Sequence, residues 1–304
     1  MLPYDLSDVV EGSGRRNHPP SGGTRSRDVS SSVIAHRKAM YMPVNPPQMD
    51  NRIRCPGHMI NFVVKATIYG SGVSKFEADL QKAAPKDQFE LFRKHGVVGK
   101  LHNFVNGVLR STKRRELFHS VQLNLALEND ELYNYGTLNL RADGGIRWHS
   151  VYLMLLRCLE LKLPIQRFVR NLRGYDIPVD IPDYSPLTDA LSDDEWIEVE
   201  QLVDFLRIFY EMTKRLEGNQ SGISGFGSLW QILPNLQTIH RVFEMHEAEL
   251  KHLPDTSYIK NAVKFGQEKL NKYWGKLILD VTTSPYCVAT AMNPGLRLQW
   301  FKQH

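Results

Sequence analysis

The sequence predicts a mainly α-helical protein built around a helical bundle, and three observations predict it. Apolar residues recur at helical spacing in three long runs: Trp196, Val199, Leu202, Val203, Leu206 and Phe209; Leu229, Ile232, Leu233, Leu236, Ile239 and Val242; and Tyr258, Ala262, Phe265, Leu270 and Tyr273. The first run opens on Ser192-Asp193-Asp194-Glu195, a capping box with Ser192 as N-cap and Glu195 three residues later. The joins are short and carry Gly or Pro, and few segments read as strands. Three long helices joined in this way pack antiparallel, held by burial of their apolar faces rather than by propensity.

With 304 residues, 42% hydrophobic and 23% charged, the chain is long enough for one large domain or two small ones. Lys and Arg total 38 against 33 Asp and Glu, a net charge of +5, which gives a modest bias towards acidic partners such as nucleic acid. Cys55, Cys158 and Cys287 are odd in number, far apart and without a Cys-x-x-Cys pair, which argues against a disulfide framework or a Cys-rich zinc site and for a reducing compartment. No apolar run approaches the roughly 18 residues of a membrane span, and no signal-peptide core stands at the start.

In chain order, residues 1–50 are rich in Ser, Gly, Pro, Arg and Asp and read as a disordered arm. Its arginines alternate with Asp5, Asp8, Glu11 and Asp28, the pattern of a tail rather than of a phosphate-binding arm. A helix is expected from Cys55 to Tyr69, with Met59, Phe62, Val63 and Ala66 on one face and Gly70-Ser71-Gly72 as its stop. Two short helices flank Pro85, and Val97, Leu101, Phe104, Val105 and Val108 form the stripe of a longer one. Arg93, Lys94, Lys100, Arg110, Lys113, Arg114 and Arg115 make the most basic part of the chain, opposed by no acid until Glu116. Two readings stay open: Arg110 to Arg115 sit at a helix C-terminus, where each cation stabilises the dipole by about 0.3–1 kcal/mol, or they contact phosphates.

Asp143-Gly144-Gly145 reads as a turn, after which Arg147-Trp148 opens a helix that runs from Tyr152 to Leu161 and breaks at Pro164. Residues 177–183 form a Pro-rich loop. The capping box then launches a helix of about six turns ending at Gly218, and two further long helices follow, the first with Pro234 near its start.

Three ordered segments resemble the fungal branch of the hAT-family DNA transposases. They are Arg52-x-Arg54-Cys55-x-x-His58-x-x-Asn61 with Lys65-Ala66; Phe92-Arg93-Lys94-His95-Gly96 with Gly99-Lys100-Leu101-His102-Asn103; and Arg147-Trp148-His149-Ser150-x-Tyr152-x-Met154. The resemblance covers roughly residues 52–304 and extends to Asn293-Pro294 with Trp300-Phe301, where the family usually has an aspartate at the place of Asn293. It implies an RNase H-like α/β core, of which this chain holds a fragment, interrupted by a helical insertion. The expected boundaries are a disordered arm over 1–50, core fragment and basic helices over 51–136, the insertion bundle over 137–284, and a return to the core over 285–304.

The resemblance also implies roles. Cys55, His58 and Asn61 belong to the family's motif beside the active site. Trp148 would stack on an unpaired base at a cleaved DNA end, a contact worth about 1–3 kcal/mol, and Arg147 would touch phosphate. With Lys100, Arg110, Lys113, Arg114 and Arg115 these form the expected DNA-binding set. Cys55-x-x-His58 by itself is half a zinc site with no second pair, so no metal role is expected for it. Family members cut DNA with three carboxylates holding two divalent metals. The first aspartate is expected upstream of the Cys-x-x-His segment, the second in an Asp-Asn-Ala-Ser-like turn that neither Asp28 nor Asp50 reproduces, and the glutamate beyond the insertion. Asp193, Asp194 and Glu195 are accounted for by capping. No Ser-His-Asp arrangement and no Gly-rich phosphate loop is seen.

The expectation is therefore a truncated transposase-derived protein that associates with DNA, in particular transposon-end-like DNA, in the nucleus, without autonomous cleavage. Self-association is an expected partner mode; no membrane or small-molecule substrate is expected. No cofactor is expected, magnesium or manganese being called for only by a complete transposase site. Two alternatives are a non-catalytic helical protein-interaction module, and an active metal-dependent recombinase whose missing acids come from elsewhere.

Overall fold

The computed structural model describes residues 56–128, 130–144, 148–174, 184–216, 229–278 and 284–303. The disordered arm expected over 1–50 lies outside the described residues, as do Cys55 and Arg147. Ile53–His304 form one compact unit. Among the described residues there are twelve α-helices and no strand, so the mainly α reading holds and no part of a sheet falls within them.

Helix α1 (Pro56–Tyr69) is the centre of the unit. Met59, Ile60, Val63, Val64, Ala66, Thr67 and Ile68 are all buried, which leaves almost no polar face. A helix apolar nearly all round must be surrounded, and α1 is packed by four other helices. It stops where the sequence said it would: Gly70 takes φ +77° and its N–H donates to the Ala66 carbonyl at 2.8 Å.

Helices α2 (Val73–Lys82), α3 (Pro85–Arg93) and α4 (Gly96–Leu109) follow in a tight turn of chain. Pro85 sits at the first turn of α3, where its missing N–H costs nothing. Helices α3 and α4 cross so closely that a Cβ on Gly99 would stand 1.6 Å from the Phe92 carbonyl oxygen. Asn103, fully buried on the same face of α4, donates to the Phe89 carbonyl at 2.8 Å.

Helix α4 ends at Leu109, and this corrects the expected placing of the cations. Helix α5 (Thr112–Glu128) starts anew, with the Ser111 hydroxyl accepting from the Arg114 N–H at 3.3 Å as an N-cap does. Lys113, Arg114 and Arg115 therefore lie in the first turn of a helix, not the last. The signal was Ser111-Thr112 in front of the basic triplet.

Helix α6 (Trp148–Glu160) is followed after one residue by α7 (Lys162–Gly174), which the sequence reading had broken at Pro164. Pro164 falls in the first turn of α7, where the backbone N–H has no intrahelical partner to lose. Helix α8 (Asp193–Leu216) has both halves of its capping box: the Ser192 N–H donates to Glu195 Oε2 at 2.9 Å and the Glu195 N–H to Ser192 Oγ at 3.2 Å.

Helix α9 (Ile232–Glu249) begins after a single 3₁₀ turn, with Pro234 in its first turn. Helix α10 (Tyr258–Ile278) lies along α1. That contact requires Gly266, since a Cβ there would stand 2.2 Å from Thr67 Oγ1 and 2.6 Å from Phe243 Cζ. The long-helix bundle thus gains α1 as a central member, and Phe205, Phe209 and Phe243 form its aromatic layer at centroid separations of 5.2–5.5 Å. Two short helices, α11 (Pro285–Met292) and α12 (Arg297–Gln303), complete the described chain.

Candidate nucleic-acid interface

The two motif segments meet. Asn61 on α1 turns its side-chain oxygen to the backbone nitrogen of Trp148, 3.4 Å away and 87 residues on. Trp148 is the first residue of α6, so its N–H is one the helix leaves without an internal partner, and Asn61 serves as a cap supplied from another element. His58 stands exposed one turn earlier, edge-on to the Phe62 ring at 4.5 Å. Phe62 in turn stacks on Tyr273, with Lys269 over both rings at 5.6 and 5.8 Å.

The indole of Trp148 is only 2% exposed and belongs to the main core. Stacking on an unpaired base is therefore not available to it in this conformation. An aromatic at the inward-facing start of a core helix gains more by burial, about 1.5–3 kcal/mol for a side chain of this size class, than a solvent-facing position would leave it.

The basic run is less unopposed than its sequence suggests. Arg93 grips the fully buried Asp189 through two bonds, 2.7 Å from Nε and 3.1 Å from Nη2, and also bonds Glu90. Lys100 pairs with Glu195. Burial pushes the Glu195 carboxyl up, but the Lys100 bond and the Ser192 amide outweigh it and hold the group below the usual carboxylate range. Arg114 is 6% exposed and donates to the Gly107 and Tyr184 carbonyls at 3.2 and 3.0 Å, with its guanidinium 5.8 Å above the Tyr184 ring. Lys100 and Arg114 thus serve the fold in this conformation.

Arg110, Lys113 and Arg115 remain exposed. Arg110 lies 5.9 Å above the Phe89 ring, and Arg115 donates to Thr112 Oγ1 at 3.1 Å. Beside them a cleft of about 260 Å³ is lined by Leu109, Arg115, His119 and Asn139 over the buried Phe118.

The described carboxylates of the interior each have a structural partner. Asp143 Oδ1, its side chain 2% exposed, accepts from His102 Nδ1–H at 2.7 Å, and the His102 ring lies flat on Phe92 at 3.5 Å. Asp189 and Glu195 are held as above. Among the described residues no three His, Cys, Asp or Glu side chains converge as a divalent-metal site would require, so they do not fit the magnesium or manganese pair of a complete transposase centre. Sequence reasoning had taken Asp143 for a turn residue only and had missed both its pairing with His102 and the basic helix α7. The first has no local signal; the second was hidden by Pro164.

Residues 53–205 match the family model of the ZBED1 RNase-like helical domain. The match runs from just before α1 into α8 and so includes Asn61, the basic turn and Trp148. No curated protein and no solved structure matches the chain.

Proposed function

We propose, from the premise that this chain belongs to the ZBED1 RNase-like helical domain family and is a hAT-like, transposase-derived domain, that it binds nucleic acid without cutting it unaided. The observation that carries this reading is the pair of exposed cations Lys113 and Arg115 in the first turn of α5. That end of a helix is positive, so cations there oppose a dipole whose favourable pairings are worth about 0.3–1 kcal/mol each. The reading of these residues as dipole-stabilising thus fails for them, while an anionic backbone laid across the turn would meet the cations at the positive end of the helix. Arg110, at the preceding helix end, would extend the contact.

On this reading the partner is transposon-end-like DNA, the place of action is the nucleus, and self-association would set two such surfaces side by side. Descent from the fungal branch of hAT transposases is the ancestry supported by the Cys55-x-x-His58 and Arg147-Trp148 segments. The absence of autonomous cleavage is supported by the engagement of Asp143, Asp189 and Glu195 in structural pairs. One observation favours a second reading, a helical protein-interaction module: Leu127 and Leu123 on α5 are 86% and 44% exposed.

A titration of the whole chain against a hairpin-ended and a plain duplex at several salt concentrations separates the two. Nucleic-acid binding is expected to weaken linearly in log–log form as salt rises. No binding at low salt would leave the protein-interaction module.

A further inference from the structure

We propose that the outward face of α7 is a second phosphate-contacting surface, which tracks a nucleic-acid backbone through Arg170 and Arg173. The proposal rests on the nucleic-acid reading above but uses a different element. Helix α7, KLPIQRFVRNLRG, carries Lys162, Arg167, Arg170 and Arg173 and not one acid. The long helices α8 and α10 mix both signs, as solvated faces ordinarily do. A helix with four cations and no acid in thirteen residues is a strong single-sign field on one element.

The inward face of α7 is fixed firmly. Phe168 is fully buried between Phe104 and Phe118, edge-on to each at 5.9 and 5.5 Å, and Ile165 is 4% exposed beside it. Helical geometry then turns Arg167, Arg170 and Arg173 outward along one ridge, each step rising about 4.5 Å. Two of the four cations are engaged. Lys162 pairs with Glu200 at 3.0 Å and lies over Trp196 at 5.7 Å, and Arg167 meets Glu128 at 3.3 and 3.4 Å. Arg170 and Arg173 are exposed and make no ion pair among the described residues.

The helix dipole explains only part of this. Arg173 is the one cation of the last turn, and the dipole's effect fades within that turn, so Arg170 lies beyond its reach. Guanidinium groups on a rigid ridge lose little freedom on pairing with phosphate oxygens and present the fork that phosphate matches. Since α7 packs on α5, whose first turn bears Lys113 and Arg115, the two basic surfaces are carried on touching helices.

The test is a salt series of duplex titrations with the whole chain, its Arg170→Gln/Arg173→Gln variant, each single Gln variant, and Arg170→Lys/Arg173→Lys. The slope of log affinity against log salt is expected to fall by about 1.8 in the double Gln variant, about half that in each single variant, and little in the Lys variant. Unchanged slopes in all Gln variants would overturn this inference and leave the first-turn surface standing. No duplex binding by the unaltered chain at low salt would overturn both. Binding of polyglutamate as tightly as duplex would assign the ridge to an acidic protein partner instead. Both arginines are exposed, and equal helical circular dichroism across the set checks that the variants stay folded.

Discussion

The Asn61 side-chain oxygen, 3.4 Å from the Trp148 backbone nitrogen, ties the central helix α1 to the start of α6 across 87 residues. The bond supplies a cap from another element, so the helix that bears His58 and Asn61 and the helix that Trp148 opens are held together by the fold. Asn61→Ala is expected to lower stability by about 0.5–2 kcal/mol, towards the low end because the bond is long. A urea titration would show a lower midpoint at unchanged slope; an unchanged midpoint would mean the contact contributes nothing.

Trp148→Ala separates core from contact. The buried indole predicts a loss of about 3–5 kcal/mol in stability. Duplex affinity of the fraction that remains folded should stay close to that of the unaltered chain. A stable variant with weakened binding would restore the stacking role.

For Lys113→Gln with Arg115→Gln, stability and binding should move in opposite directions. Removing cations from the amino end of α5 relieves the dipole conflict by up to about 0.3–1 kcal/mol each, while the salt slope of duplex binding falls by about 1.8. Loss of both stability and binding would show that these side chains are structural, as Arg114 is.

The close crossings give a third contrast. Gly266→Ala places a Cβ 2.2 Å from Thr67 Oγ1, and Gly99→Ala places one 1.6 Å from a backbone oxygen that no rotamer change can move. Each is expected to cost about 1–3 kcal/mol or more, with Gly99 the worse. Gly275→Ala, in the same helix as Gly266 but with nothing within 4 Å, should instead gain up to about 1 kcal/mol. Thermal melts of the three variants read the order directly.

His95 gives the pH dependence. It precedes α4 and packs edge-on against Phe76 at 4.1 Å and Tyr69 at 5.3 Å. Burial, with the Lys94 charge beside it, holds its imidazole below the ordinary value. The unfolded chain therefore binds a proton that the folded chain refuses, so this contribution is full above about pH 6.5 and declines as pH falls towards the folded value. The unaltered chain should lose stability between about pH 7 and pH 5.5, and His95→Phe should lose less over the same interval. Equal losses would place the proton linkage elsewhere.

The places where helices start and stop were legible in the sequence, because they depend on chemistry within one turn. Ser192 and Glu195 complete their box three residues apart, and Gly70 ends α1 with its own positive φ. Pro164 and Ser111 were misread, because their meaning depends on position: a proline in a first turn permits a helix, and a serine before a basic triplet starts one. Apolar spacing likewise marked α1, α8, α9 and α10 as packed helices.

Which polar residues are free to act was decided only in three dimensions. Arg93 finds Asp189 96 residues away, Lys100 finds Glu195 95 residues away, and Arg114 reaches the Tyr184 carbonyl across 70. A charge is available to a ligand only if the fold has not already desolvated and paired it, and no local pattern records a partner so distant. The same holds for Trp148: its spacing fixed it on a helix, and the packing of α1 against α6 decided that its ring faces the core rather than a nucleic acid.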